Sequence, residues 1–364
     1  MSTRGARPGL RAHPMSLRGL DSYSGMITNV SVLTATVVPV PADPSNYHDA
    51  FFREVMSTPA NAVSELRTVL PEAVTACVDW GCLELQSTSF VTSELRPRYG
   101  DLLFRTRVRD RPAYIYVLIE HQSRPDPLMA LRLLEYMIQV WNHHIGHNPA
   151  TGTLPAVIPL VVYQSPSGRR WTAPLDIAEL IDLDDATRAA VGPYIPRMRY
   201  ALDNITRIDL GVLAKRELTS HARTTLALMK TAPGNPDLTP VLKMLRDDFR
   251  AMLAGPNGVR DLRLAFTYIM RVGETDPAEI EEFADELGPD AKEAFMTTAE
   301  RLTAQAEARG EARGRVVALL QLLTMKFGPL PQRVVDTVEA GTLEQLESWT
   351  AGILTAEHID QLIS

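Results

Sequence analysis

The chain has 364 residues, 45% of them hydrophobic, and a formal net charge of −7 at pH 7. This length suggests about two or three domains of roughly 100–200 residues each, and the composition supplies enough apolar side chains for a core. The acidic balance excludes a protein that is basic throughout, so any nucleic-acid site must be a local patch.

The cysteine count and the apolar runs suggest where the protein works. Cys77 and Cys82 are the two cysteines of the chain, too few for a disulfide framework or a complete zinc site, so we expect a reduced, cytoplasmic protein. No apolar run reaches the roughly 18 residues that a spanning helix needs, and we expect no membrane partner. Residues 1–44 place arginines ahead of the mildly apolar MITNVSVLTATVVPV. The threonines in that stretch favour a disordered extension over a signal peptide.

The predicted elements describe an α/β protein with a helical C-terminal half. SNYHDAFFREVM opens a helix, DLLFRTRVR (101–109) alternates as a strand, and AYIYVLIEHQ (113–122) is apolar on both faces like a central strand. An amphipathic helix over 125–145 and the buried strand AVIPLVVYQ (156–164) follow. We therefore predict a mixed β-sheet core flanked by helices over 45–210, a helical region over 211–300, and a small helical domain over 301–364.

Acidic side chains mark the ends of the two predicted strands. Residues i and i+2 share a strand face, so Glu120 and Gln122 point the same way at the end of the apolar run. A hairpin turning at DRP (110–112) is expected to bring Asp101 opposite Glu120. Two carboxylates at that distance repel each other, and Mg²⁺ would resolve the conflict. The alternative is a structural ion pair of Glu120 with Arg105 or Arg132.

The surrounding segment is locally basic. Between residues 94 and 132 eight arginines outnumber five acids, a net charge of +3 in a chain of −7. Positive charge around a carboxylate cluster suits a polyanion that is cut with the help of a metal. A solvated strand face with alternating arginines is the alternative explanation.

Four spaced blocks carry a resemblance to a known family over about 46–210. They read SNYHDAFFREVMSTPANAVSELRTVLP, SFVTSELRPRYGDLLFRTRV, YIYVLIEHQSRPDPLMALRLLEYMIQVW and LPAVIPLVVYQSPSGRRW. Together they resemble the recombination-promoting nuclease family, also called YhgA-like transposases, within the PD-(D/E)XK nuclease superfamily. The resemblance implies a restriction-endonuclease-like core and a DNA endonuclease that uses Mg²⁺ or Mn²⁺.

The same resemblance implies roles for individual residues. Asp101 and Glu120 correspond to metal ligands, and Gln122 stands where the superfamily usually has lysine. An amide cannot carry the charge of lysine, but it could orient the attacking water. Glu94, Arg132 and Tyr136 are further accessory candidates. Independently of the resemblance, the local positive charge makes Arg105, Arg107 and Arg109 candidates to seat the DNA backbone.

Some of these accessory assignments have structural alternatives. Arg132 and Tyr136 are four apart on a predicted helix and share a face, so they are either phosphate contacts or a helix-surface pair. Where the family often has tyrosine-histidine-glycine, this chain has Tyr163, Gln164 and Ser165.

The tail from about 305 resembles a small helical domain often appended to these proteins. Gly310 and Gly314 would let another helix approach closely, which favours a homo-oligomer formed through the C-terminal helices; a spacer helix is the alternative. For the whole chain we predict a DNA endonuclease linked to recombination or mobile elements. The alternative is a catalytically inert member that binds DNA or protein.

Overall fold

The computed structural model describes residues 45–87, 101–120 and 125–363. For Ile119 and Glu120 it describes the backbone alone. Two of the predicted site residues, Glu94 and Gln122, lie outside the described residues, as does the predicted extension over 1–44.

The described chain contains helices and strands in both halves. The strands are β1 (Glu84–Gln86), β2 (Leu102–Val108), β3 (Arg111–Glu120), β4 (Ala156–Tyr163) and β5 (Ala201–Asn204). The helices before β5 are α1 (Ser45–Met56), α2 (Pro59–Val69), α3 (Glu72–Thr75), α4 (Met129–His147) and α5 (Asp185–Val191). Those after β5 are α6 (Leu210–Ala214), α7 (Ser220–Thr231), α8 (Thr239–Met244), α9 (Arg246–Leu253), α10 (Gly258–Val272), α11 (Pro277–Leu287), α12 (Pro289–Phe327), α13 (Gln332–Glu339) and α14 (Leu343–Gly352).

The five strands form one mixed sheet in the order β1-β2-β3-β4-β5. The first three pair antiparallel, and β3, β4 and β5 pair parallel. Parallel strands need a crossover connection, and α4 lies in the one between β3 and β4. The predicted mixed α/β class is confirmed by this architecture.

The hairpin register differs from the prediction. Val108 pairs with Arg111 and Leu102 with Val117, so the turn is Arg109-Asp110. Continued by one residue, this register sets Asp101 beside position 118. The prediction that Asp101 lies opposite Glu120 was therefore wrong by two positions, because Arg111 and Pro112 already belong to β3 instead of the turn.

The two faces of β2 lie in different apolar clusters, and its alternation predicted which of its residues share a face. Leu102 and Phe104 belong to a large apolar cluster with α1, α2 and the helices between residues 213 and 295. Leu103 belongs to a second cluster with Tyr116, Leu118, Tyr163 and α4. The first cluster shows that the helical region packs against the sheet; the domain boundaries at 210 and 300 stay predictions.

The C-terminal residues form a third apolar cluster around the end of α12. This helix has 39 residues, and the turns between its two buried ends are largely exposed. The third cluster contains Leu319, Leu323, Val334, Val338, Leu346, Ile353 and Ile363. Within the described ranges, every helix is too short or too polar to cross a membrane.

Candidate active site

Asp101 is a buried carboxylate at one edge of the sheet. It directly precedes β2, and its residue is 4% exposed. The Tyr116 hydroxyl donates to its Oδ2 at 2.7 Å, and the Arg53 guanidinium donates to its backbone oxygen at 3.2 Å. A buried carboxylate without such donors would be costly, so Tyr116 stabilises the charge and fixes the orientation of Asp101.

Tyr116 belongs to the middle of β3 and was not predicted as a site residue. Burial raises the pKa of Tyr116 well above its usual value, and the nearby Asp101 charge raises it further. The phenol therefore remains a hydrogen-bond donor at any pH at which the protein would work. In the sequence Tyr116 sits in an apolar run on a strand buried on both faces, which gave no signal for a polar role.

Two predicted accessory residues of α4 complete a chain of contacts to Asp101. The Tyr136 ring stacks on Tyr116 with centroids 4.9 Å apart, and the Arg132 guanidinium lies 5.7 Å from the Tyr136 centroid. Arg132 also lies 4.0 Å from Asp126 in an ion pair. The shared helix face thus brings Arg132 and Tyr136 to the Asp101 side of the sheet, and their role there stays a prediction.

Glu120 is described by its backbone position. It ends β3, in register with Tyr163 of β4. Because β2 and β3 are antiparallel, the start of β2 and the end of β3 meet at the same edge of the sheet. By strand alternation, position 120 falls on the same strand face as Tyr116. The structure thus brings Asp101 and position 120 to one edge and one face.

The same edge carries two amides that the sequence analysis did not assign to a site. Gln164 follows β4 and is 2% exposed, and Asn204 ends β5. Gln164 Oε1 and Asn204 Oδ1 are buried and have no hydrogen-bond partner within the described part of the chain. For Gln164 the signal was a polar residue just after an apolar strand, the feature that singled out Glu120. The strand β5 (ALDN) is too short and too polar to give the same signal for Asn204.

The predicted DNA-binding arginines have three different settings. Arg105 pairs with Glu84 at 2.6 Å, and Arg107 is exposed one step further along the same face of β2. The predicted strand over 101–109 would have put Arg109 on that face too, and this was wrong: β2 ends at Val108, and Arg109 lies in the turn with φ 54°. A residue with positive φ leaves the alternation of a strand, so its direction does not follow from the pattern.

A second buried acidic cluster lies on the opposite face of the sheet. Arg216 donates to both oxygens of Asp203 at 2.8 Å and lies 3.6 Å from Glu65 Oε2. Burial raises the pKa of Glu65 well above its usual value, and the Asp203 charge adds to the shift. Asp203 pairs with Val162, which belongs to the cluster of Leu102 and Phe104. This group is therefore separate from Asp101.

The described donors near Asp101 do not by themselves make a complete metal site. Among the described residues, no group of three or more histidine, cysteine, aspartate or glutamate side chains is placed so that it could hold a metal ion. Mg²⁺ commonly uses one or two protein carboxylates and completes its shell with water and phosphate. A buried, oriented carboxylate beside the end of a strand that carries Glu120 fits that donor set.

Comparison with known proteins places the chain in a family. The family described as "Putative transposase, YhgA-like" matches residues 46–259, more than half of the chain. Recombination-promoting nuclease RpnA of Escherichia coli (strain K12) is 30% identical over 266 residues, 72% of this chain and 85% of that protein. Recombination-promoting nuclease RpnD of Escherichia coli O157:H7 is 32% identical over 262 residues, 71% of this chain and 94% of that protein.

A further relative carries a different description. Inactive recombination-promoting nuclease-like protein RpnE of Escherichia coli (strain K12) is 30% identical over 260 residues, 71% of this chain and 82% of that protein. No solved structure matches the chain. From the family match and these identities, the chain belongs to the YhgA-like transposase family, to which its resemblance to recombination-promoting nucleases had pointed.

Proposed function

We propose that this chain is a metal-dependent DNA endonuclease with a restriction-endonuclease-like core. One observation carries the proposal: the Asp101 carboxylate is buried and held by Tyr116 at the edge where β3 ends in Glu120. The chain is similar to two relatives named as nucleases over most of their length, which supports the same reaction class. The substrate would be a DNA phosphodiester, and the link to recombination or mobile elements comes from the relatives' names.

The proposed mechanism assigns each residue one task. Asp101 and Glu120 would hold Mg²⁺ or Mn²⁺, and a cation bound there would polarise the scissile phosphate and lower the pKa of a water. Tyr116 keeps the Asp101 carboxylate in one orientation. Gln122 would align the attacking water through its amide, and Glu94 would add a further carboxylate.

Positive side chains would hold the DNA. Arg105 and Arg107 lie on the Asp101 face of β2, and Arg132 lies on the same side through its contact with Tyr136. Lysine and arginine contacts to phosphate release counterions, so binding is expected to weaken steeply as salt rises.

A second candidate function is DNA or protein binding without cleavage. The relative RpnE, which is described as inactive and is 30% identical to this chain, supports this second candidate. Cytoplasmic location and assembly of copies through the C-terminal helices belong to either proposal.

Cleavage of supercoiled plasmid tests the first candidate directly. Relaxed or linear DNA is expected with Mg²⁺ and should be absent in EDTA and with Asp101→Asn. That variant keeps an oxygen that can accept from Tyr116, so its fold should be intact, as checked by thermal unfolding. Cleavage that persists in Asp101→Asn would refute the site; DNA binding without any cleavage would support the second candidate.

A further inference from the structure

The tip of the β2–β3 hairpin, residues 107–111, carries basic residues on both faces of the ribbon, at the far end of β2 from Asp101. Arg107, Arg109 and Arg111 are all exposed, and Asp110 is the one acid among them, so the tip carries +2. None of the three arginines forms an ion pair with another described residue, whereas Arg105 is already bound to Glu84 at 2.6 Å. The uncompensated charge therefore lies at the tip.

Arg109 has an unfavourable backbone conformation. Its φ is 54°, and among the described residues it is the one non-glycine residue with positive φ. A tight two-residue turn with positive φ strongly prefers glycine, asparagine or aspartate. An arginine at such a position gives up backbone stability, and strain of this kind often marks a functional site.

The strained turn is held in place by a neighbouring segment. The Arg109 backbone N–H donates to Cys77 O at 2.7 Å, and the Asp79 N–H donates to Arg107 O at 2.8 Å. Between these bonds Val78 and Val108 form an antiparallel bridge. Thr106 Oγ1 adds a bond to Asp79 O at 2.7 Å. The backbone of the tip is thus braced by this segment, so little backbone order is lost on binding.

We propose that this tip is the element by which the chain grips duplex DNA, with Arg107, Arg109 and Arg111 on backbone phosphates. The proposal rests on DNA being the partner, as proposed above. It adds Arg111 to the DNA-binding arginines, and it expects Arg105 to contribute less to binding because Arg105 is paired with Glu84. A two-stranded β-ribbon fits the major groove of B-DNA. The charge and shape of the tip suit that partner.

The position of the tip predicts where the contact falls relative to the cut. From residue 101 to residue 107 the strand rises about 20 Å, at roughly 3.3 Å per residue. At about 3.4 Å per base pair this is roughly six base pairs. With β2 lying along the duplex axis, a DNA footprint should extend up to about six base pairs to one side of the scissile phosphate, and it should shrink on that side when the tip loses its charge.

Substitution of Arg109 separates binding from folding. In Arg109→Gly the turn loses its strain, so the melting temperature should stay the same or rise, while affinity for a duplex oligonucleotide should fall several-fold. The slope of log affinity against log salt should become shallower by about 0.9 for the lost phosphate contact. Arg109→Lys should regain most of the affinity. Arg67→Ala, which removes an exposed arginine of α2, is the charge-matched control.

The measurement is made in Asp101→Asn with EDTA, so it does not depend on cleavage. Unchanged affinity and salt slope in Arg109→Gly, or an equal loss in Arg67→Ala, would overturn the proposal. If the protein binds duplex RNA as tightly as duplex DNA, and both affinities depend on Arg109, the assignment of DNA as the partner would be overturned. If the parent protein with Mg²⁺ does not cleave DNA but its DNA binding depends on Arg109, the role of the tip would stand and the nuclease function alone would be refuted.

Discussion

The Tyr116 hydroxyl donates to Asp101 Oδ2 over 2.7 Å between two nearly fully buried side chains. Tyr116 is 1% exposed and Asp101 is 4% exposed, so water competes little for this bond. Hydrogen bonds to charged groups contribute about 1.5–3 kcal/mol. This contact is strong enough to decide the orientation of the carboxylate that we assign to the metal.

Tyr116→Phe is expected to weaken metal binding without unfolding the protein. The ring and its stacking on Tyr136 remain, but the carboxylate loses its donor and with it a fixed orientation. A loss of about 1.5 kcal/mol would raise the Mn²⁺ dissociation constant roughly tenfold. Titration calorimetry with Mn²⁺ and no DNA measures this, and the Mg²⁺ concentration for half-maximal cleavage should rise in parallel.

Tyr114→Phe is the matched control for that experiment. Tyr114 also belongs to β3 and is paired with Arg105, away from Asp101. It should leave Mn²⁺ affinity within about twofold of the parent protein. Equal Mn²⁺ affinity in Tyr116→Phe and the parent would show that Tyr116 does not position the metal ligand.

The Glu65–Asp203–Arg216 cluster predicts a pH dependence of stability. Burial, reinforced by Asp203, raises the pKa of Glu65 well above 4.5. The folded state therefore keeps a proton on Glu65 at pH values where the unfolded state has released it, and this proton adds to the free energy of unfolding. The added stability is complete below the pKa of Glu65 in the unfolded state and is lost as pH rises through its pKa in the folded state. In Glu65→Gln the side chain no longer titrates, so the free energy of unfolding should fall less with rising pH.

Urea unfolding from about pH 5 to 8 measures this difference. Glu72→Gln, which replaces an exposed carboxyl of α3, should retain the pH dependence of the parent. Arg216→Met should instead cost about 3–5 kcal/mol, because it leaves a buried Asp203 charge without its partner. Parallel pH curves for Glu65→Gln and the parent would contradict the assignment of the proton to Glu65.

Substitutions in the exposed stretch of α12 test whether this helix is a spacer or an assembly surface. A side chain at Gly310 or Gly314 would meet no atom within 4 Å, so in a single copy Gly→Ala should stabilise by about 0.8–1 kcal/mol each. If copies assemble through the glycines, the double variant should instead weaken assembly. Sedimentation at several protein concentrations, together with thermal unfolding, distinguishes the two. Unchanged assembly with higher stability would support the spacer.

Local patterns predicted the faces of the sheet better than its register. Leu102, Phe104 and Arg105 alternate because β2 has one covered and one partly open face, and such alternation is visible in sequence. The register depends on the turn, and Arg109 at positive φ has no local sequence signature. Its N–H donates to Cys77 O, and the Asp79 N–H donates to the nearby Arg107 O, so the turn is held by a segment distant in sequence. The turn was predicted at the DRP sequence, residues 110–112, and this shifted the predicted strand partner of Asp101 by two positions.

Contacts between distant segments were beyond sequence reasoning. Glu65 and Asp203 meet through the packing of α2 on β5, and neither stands in a local motif. Tyr116 was hidden because β3 is apolar on both faces, so the sequence cannot tell which tyrosine reaches Asp101. The shared helix face of Arg132 and Tyr136 was predictable because helical spacing is local, and their role at the site stays a prediction.

Tyr136 is expected to support the site through its ring. It is 3% exposed, stacks on Tyr116 at 4.9 Å and carries the Arg132 guanidinium on its face. Aromatic pairs contribute about 0.5–1.5 kcal/mol beyond burial. Tyr136→Leu should therefore lower the free energy of unfolding by about 1–3 kcal/mol and, by loosening Tyr116, should weaken Mn²⁺ binding. Tyr136→Phe keeps the ring and should restore both; Mn²⁺ binding that stays weak in Tyr136→Phe would show that the hydroxyl, and not the stacking, is what matters.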